Sequence, residues 1–174
     1  MKRPRTLETN LRFDTPDEQL DHQKRLLRLR QDDAAKLTYK EPDVIVGGAS
    51  QRLELEVVVS DFATLKEILE RLGYTVSIIY EKYRAEYYLG DLYITLDEMP
   101  FGDFMEIEGE RVEDIQAAAK KLELKWAANV PQNYLILFNR LKARHPVSFR
   151  DMTFENFNGI AVTAEDLGVT PADG

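Results

Sequence analysis

The chain has 174 residues, of which 44% are hydrophobic and 31% are charged, and its net charge is −8. This length suits one domain with a sizeable core, and the composition excludes a disordered chain and, with no long apolar run, a membrane-spanning one. The absence of cysteine excludes disulfides and thiolate chemistry and fits a reducing cytoplasm. An acidic chain with two histidines is a poor candidate for DNA binding or for zinc, whereas its carboxylates favour Mg²⁺ or Mn²⁺.

The first third of the chain has the alternating pattern of β-strands. Asp and Pro end the first strand, two Asp mark a tight turn, and Pro, Gly and Ser interrupt the pattern before the next strand. The predicted elements are a strand over 6–13, hairpin strands over 24–31 and 36–40, a loop over 41–51 and a strand over 52–59.

The remainder combines helices with long strands. Ser60-Asp61 predicts a helix N-terminus, and Gly73 predicts its end. Val, Ile and Tyr enrichment then predicts a long strand that turns at Gly90-Asp91. The predicted elements are helix 62–72, strands 75–89, 92–96 and 103–108, helix 112–122, a helix from about Gln132, and a short helical cap at 163–166.

Long strands joined by hairpins, with few helices, predict an α+β fold built on an antiparallel sheet or barrel. We expect residues 1–145 to form this domain. The tail after Pro146 has little periodicity, and we expect residues 146–174 to be an extension that packs on the domain.

The strands carry their charges on one face. Since side chains alternate along a strand, charged residues two positions apart point the same way while the intervening residues are mainly apolar. One interpretation is a half-solvated sheet with water on the charged side. Against it, the charges are long and of one sign within most strands, and Ser, Thr and Gln are scarce there. These patterns are Arg28 with Arg30, Arg52 with Glu54 and Glu56, Lys82 with Arg84, and Glu106 with Glu108.

If such a sheet closes, the charged face becomes the lining of a lumen. Arginines there would bind phosphate oxygens through two nitrogens at once, and carboxylates would hold metal ions that bridge the phosphates. A mixed-charge lumen is costly to desolvate when it is empty, which favours a metal–polyphosphate ligand.

At these residues the sequence resembles the CYTH family. Each motif alone is weak, but the ordered set, which covers roughly residues 8 to 140, is specific. The motifs are Phe13-Asp14-Thr15-Pro16-Asp17, Leu27-Arg28-Leu29-Arg30, Leu37-Thr38-Tyr39-Lys40, Arg52-x-Glu54-x-Glu56, Glu81-Lys82-x-Arg84, Leu96-Asp97-Glu98-x-Pro100-x-Gly102-x-Phe104-x-Glu106-x-Glu108, and Asn133-Tyr134-x-x-Leu137, the last similar to class IV adenylate cyclase-like members.

The resemblance implies a triphosphate tunnel metalloenzyme with an eight-stranded antiparallel barrel and helices outside. Such proteins cyclise ATP to cyclic AMP and pyrophosphate, or hydrolyse tripolyphosphate or organic triphosphates, with Mg²⁺ or Mn²⁺. The matching phosphate ligands are Arg28, Arg30, Lys40, Arg52, Lys82 and Arg84. The matching metal ligands are Glu54, Glu56, Asp97, Glu106 and Glu108.

One motif departs from the family. Its members begin with a Glu-x-Glu-x-Lys strand and a helix, and Glu8-x-Asn10-x-Arg12 matches this poorly and directly precedes the expected second strand. We therefore expect the first strand to be missing from this sequence, which leaves open a second function, namely polyphosphate or nucleotide binding without turnover. An open sheet edge would also favour a homodimer. The residues single out no catalytic base and no particular triphosphate.

Overall fold

The computed structural model describes residues 2–47 and 49–173. Its strands are β1 Arg3–Asp14, β2 Leu26–Gln31, β3 Ala35–Lys40, β4 Val44–Val46, β5 Ala49–Gln51, β6 Glu54–Val59, β7 Thr75–Leu89, β8 Leu92–Met99 and β9 Gly102–Glu108. Seven of them form one antiparallel sheet in the order β6-β3-β2-β1-β7-β8-β9, and β4 pairs with β5 alone. The α+β class built on an antiparallel sheet is confirmed.

Three of the five helices in the described residues begin at a capping side chain. They are α1 Gln19–His22, α2 Phe62–Arg71, α3 Val112–Lys121, α4 Tyr134–Arg144 and α5 Ala164–Leu167, with a 3₁₀ turn at Trp126–Ala128. Asp61 accepts the backbone N–H of Thr64, and Asn133 accepts that of Ile136. Thr163 and Asp166 form a reciprocal capping box. The sequence-based helices α2, α3, α4 and α5 are confirmed to within two residues.

Two regions differ from the sequence-based expectation. The expected loop over 41–51 contains the β4–β5 hairpin. The segment after β1 contains α1, whose first turn is organised by the carboxylate at the end of β1. Asp14 accepts backbone N–H groups from Thr15, Leu20 and Asp21. These bonds satisfy donors that a helix start leaves unpaired, and a four-residue helix has no hydrophobic period that could have revealed it.

The seven-stranded sheet is curled. In a flat sheet its edge strands β6 and β9 would stand about 29 Å apart, six spacings of about 4.8 Å. Loss of hydration and the charge of Glu106 raise the pKa of Glu108 on β9, and the charge of Glu54 on β6 also raises it. A charge acts in this way only at short range, so the two edge strands lie much closer together than in a flat sheet. Gly47, next to β4, lies against Val112 at the start of α3. Among the described residues β6 and β9 do not pair, so they are the two edges of the curl.

Two hydrophobic clusters hold the helices to the sheet. On the convex face, α2 packs through Leu69 against Leu11, Phe13 and Leu29. The larger cluster joins α4 and the C-terminal segment to the inner side of β7, β8 and the β8–β9 turn, and so closes one end of the concave face. Its buried members are Ile78, Tyr80, Met99, Phe101, Leu137, Phe138, Leu141, Met152, Phe157 and Leu167. The division at residue 145 stays a prediction.

No helix in the described part of the chain is both long and apolar enough to cross a membrane.

Candidate functional site

Strand register brings the charged side chains onto the concave side of the sheet. Arg12 pairs with Arg28, Arg28 with Thr38, and Thr38 with Glu56, so these positions face the same way. The same holds from Glu8 to Lys82 and from Arg84 to Asp97. We call this surface the charged face; it carries the cations Arg12, Arg28, Arg30, Lys36, Lys40, Lys82 and Arg84 and the acids Glu8, Glu54, Glu56, Glu86, Asp97, Glu106 and Glu108.

Arg84 is the most heavily bonded cation of the charged face. Two of its nitrogens donate to the two carboxylate oxygens of Asp97, and Nη2 also donates to Glu106 at 2.6 Å. Asp97, which is 1% exposed, also accepts from Lys82 Nζ at 2.8 Å. Although burial opposes it, these carboxylates raise the pKa of Arg84. The guanidinium group of Arg84 therefore carries a permanent positive charge on β7, next to the central strand β1.

Tyr134 connects this cluster to α4. Its hydroxyl lies 2.9 Å from Asp97 Oδ2 and 2.9 Å from Glu106 Oε1. Burial, followed by the charges of Glu106 and Asp97, raises the pKa of this phenol well above its ordinary value. Tyr134 is therefore a neutral donor that lies between the two carboxylates, and its single O–H proton bonds to one of them at a time.

A second group of cations lies toward β6. Arg28 donates to the hydroxyls of Tyr80 and Thr38, and Lys40 Nζ lies 2.6 Å from Glu54. Burial, followed by the charge of Arg28, lowers the pKa of Lys40, with Arg52 adding to the effect. Burial would raise the pKa of Tyr80, but Arg28 and Lys82 outweigh it and lower the pKa. Both pKa values are lowered and neighbouring cations contribute to both shifts, which indicates an excess of positive charge in this part of the site.

The predicted site residues differ in how they are placed. Arg28, Arg30, Lys82 and Arg84 are each no more than 8% exposed, and Lys40 lies beside them. Arg52 is exposed and precedes β6. The predicted metal ligands are mostly paired with cations: Glu54 with Lys40, Glu56 with Lys36, and Asp97 and Glu106 with Arg84.

The carboxylates suit a hard cation in type, since all are oxygen donors. The charges of Glu106 and of Glu54 both act on Glu108, and a bound cation would relieve this repulsion. Within residues 2–47 and 49–173, however, no three acidic or histidine side chains are close enough together to hold a metal ion. Glu54, Glu106 and Glu108 are therefore the candidate donors on the charged face.

Tyr80 and Glu8 were not among the predicted site residues. Tyr80 shares the face of Lys82 two residues later, a signal visible in the alternation of β7. Glu8 belongs to the Glu8-x-Asn10-x-Arg12 segment, which lies on the central strand β1 rather than at an edge. Tyr134 appeared only as part of a motif, because nothing in a helix sequence tells which strand it will cover.

Glu106 is expected to make the protein sensitive to acid. Loss of hydration would raise its pKa, but Arg84, Lys82 and the Tyr134 hydroxyl outweigh this and lower it from 4.5 to about 2. The ionised Glu106 contributes its full stabilisation of the folded state above the unfolded-state pKa, and this contribution is lost as the pH falls through the folded-state pKa. The loss of stability therefore occurs between about pH 4.5 and about pH 2. In urea unfolding experiments over this pH range, the free energy of unfolding of Glu106→Gln should change less with pH than that of wild type. Parallel curves would contradict the assignment.

Comparisons with known proteins bear on the fold and the family of this chain. The CYTH domain model matches residues 2–134. A candidate adenylate cyclase from Vibrio parahaemolyticus superposes with a TM-score of 0.64 at 20% identity, covering 79% of this chain and 83% of that one. A conserved hypothetical protein of Pyrococcus furiosus gives 0.63 at 26%, with 75% and 82% covered.

A third structure is a candidate adenylyl cyclase from Hippeastrum, for which a dominant triphosphatase activity is described. It gives a TM-score of 0.60 at 20% identity, covering 78% of this chain and 82% of that one. A search of the curated proteins found no match. Because the family model covers well over half of the sequence, and because these solved structures share the fold, the chain belongs to the CYTH domain family.

Proposed function

We propose that the charged face binds the triphosphate group of a small molecule such as ATP or tripolyphosphate, together with Mg²⁺ or Mn²⁺, and promotes its cleavage. The observation that carries this proposal is the convergence of four buried cations, Arg28, Arg30, Lys82 and Arg84, on one concave surface. A buried cation cluster is costly unless anions compensate it. A polyphosphate supplies several negative oxygens at once, and guanidinium groups bind them through paired donors.

The residues divide into two roles. The cations would hold the phosphate chain and stabilise negative charge as a phosphorus–oxygen bond breaks. Tyr134 and Thr38 would keep neighbouring carboxylates and guanidiniums in position, as they do through the hydrogen bonds already described. Bound at Glu54, Glu106 and Glu108, Mg²⁺ or Mn²⁺ would polarise the phosphoryl oxygens and activate the attacking hydroxyl or water.

Two reactions fit this arrangement, cyclisation of ATP and hydrolysis of a triphosphate. The names of the structural neighbours include both activities. A panel of ATP, tripolyphosphate and thiamine triphosphate with Mg²⁺ or Mn²⁺ separates them if pyrophosphate, phosphate and cyclic AMP are measured separately. We expect metal-dependent release of phosphate or pyrophosphate from at least one. If no compound of the panel either binds or reacts, the proposal fails.

A second candidate function is binding of polyphosphate or nucleotide without turnover. The observation that favours it is that, among the described residues, no three carboxylates are close enough together to hold a metal ion. Four of the five predicted metal ligands are instead neutralised by cations. Tight binding in the same panel without any product would support this function over catalysis.

Replacing Glu108 with glutamine is expected to weaken Mn²⁺ affinity at least about tenfold, since loss of even an outer-shell partner has effects of this size. The pKa of Glu108 is raised by loss of hydration, by Glu106 and by Glu54, so its charge is unfavourable in the metal-free protein. The variant should therefore be as stable as wild type, or slightly more stable. Calorimetry with Mn²⁺ and urea unfolding test both parts. Exposed Glu110→Gln is the matched control, and unchanged Mn²⁺ affinity in Glu108→Gln would refute the role.

A further inference from the structure

Glu8 is an unusual carboxylate in the middle of the charged face. It is 0% exposed and lies on the central strand β1, opposite Lys82 of β7. Among the described residues neither of its oxygens has a hydrogen-bond partner. A buried carboxylate that is part of a stable internal ion pair normally accepts several hydrogen bonds, so the surroundings of Glu8 require a separate explanation.

Three cations surround Glu8 at distances just beyond hydrogen bonding. Oε1 lies 3.7 Å from Arg3 Nη1 and 3.6 Å from Arg30 Nη1, and Oε2 lies 3.7 Å from Lys82 Nζ. The charge of Glu8 also acts on Arg84. Burial alone would lower the pKa of Arg84, but Asp97, Glu106 and also Glu8 raise it. Glu8 therefore compensates the cation cluster by charge, without being bonded to it.

The cations in turn have unused donors. Nε of Arg28 and Nε of Arg30 are buried and, among the described residues, make no hydrogen bond, although Nε of Arg30 lies 3.3 Å from Oδ2 of Asp32. Buried guanidinium donors without acceptors, beside a carboxylate held too far away to accept, match an anion with more oxygens than Glu8 can offer. Three nearby cations also make Glu8 a poor metal ligand, since they would repel a divalent ion.

We propose that Glu8 is an internal counter-anion that compensates the cation cluster in the ligand-free protein and lowers its affinity for free polyphosphate. This inference rests on the proposed function of the charged face. In the ligand-free state Glu8 neutralises part of the charge of Arg30, Lys82 and Arg3. When a triphosphate binds, the same cations turn toward phosphate oxygens, and the fixed negative charge of Glu8 repels the ligand. A polyphosphate whose charge is reduced by a metal ion is repelled less.

The test is calorimetric titration of tripolyphosphate in the presence of EDTA, which keeps divalent metal ions from contributing to binding. Glu8→Gln keeps the size of the side chain and removes its charge, and it should bind at least about tenfold more tightly than wild type. Glu98→Gln is the matched control. It makes the same change in net charge on the opposite face, where Glu98 pairs with exposed Arg5, and its affinity should stay within about twofold of wild type.

Each result has a distinct meaning. If wild type binds and Glu8→Gln binds equally or more weakly, the counter-anion role is wrong although the proposed function stands. If neither binds in EDTA, this inference fails, whereas the proposed function is decided by the panel that contains Mg²⁺ or Mn²⁺. If Glu8→Gln does not fold alone, tripolyphosphate should restore its folded circular dichroism spectrum by supplying the missing charge, and failure to do so would also overturn the inference. If it folds, tripolyphosphate should raise its Tm more than that of wild type, and an equal or smaller rise would count against the counter-anion role.

Discussion

Replacing Arg84 with methionine is expected to lower the free energy of unfolding by about 3–5 kcal/mol, because the change leaves a buried carboxylate without its main partner. Asp97 is 1% exposed and accepts hydrogen bonds from two nitrogens of Arg84, and Glu106 accepts a third hydrogen bond from Arg84. The same variant should lose most of its affinity for tripolyphosphate, because the removed charge lies at the centre of the charged face. Urea unfolding and calorimetry measure the two effects.

Arg5→Met provides a matched control for this prediction. Arg5 also donates to both oxygens of a carboxylate on β8, at 2.7 Å to each oxygen of Glu98, but on the exposed convex face. Exposed pairs contribute little because water solvates both partners and salt screens them. Arg5→Met should therefore affect stability far less and leave ligand affinity unchanged. Equal losses of stability in the two variants would show that burial does not govern the Arg84 pair.

Replacing Asp97 with asparagine should lower the free energy of unfolding by about 3 kcal/mol, because Lys82 and Arg84 are buried and lose the carboxylate that they both contact. The double variant Arg84→Met with Asp97→Asn should be more stable than the two single losses predict, by about 2 kcal/mol, since removing both partners leaves less uncompensated charge. A double-mutant cycle by urea unfolding gives the coupling energy directly. Strict additivity would mean that Lys82 and Tyr134 already hold Asp97 without help from Arg84.

The alternation of side chains along single strands was read correctly from the sequence. Arg28 and Arg30 share a face, as do Lys82 and Arg84, because every β-strand places side chains two residues apart on the same side. The helix start at Asp61 was equally accessible, since a cap bonds to the backbone two or three residues later. The other helix was predicted to begin at about Gln132 and begins at Tyr134, after the cap Asn133. Failures occurred where a local pattern was too short, as in the β4–β5 hairpin and in α1.

The sequence by itself determined which side chains share each strand's face and where the longer helices begin, because both depend on contacts within a few residues. Only the tertiary structure decided which faces meet. The pairing of Arg84 with Asp97 depends on strand register, the proximity of Glu54 to Glu108 depends on the curl of the sheet, and the approach of Tyr134 depends on the packing of α4. Glu8 illustrates the difference: its charge is visible in the sequence, but its isolation among three cations arises only when β1 lies at the centre of the sheet.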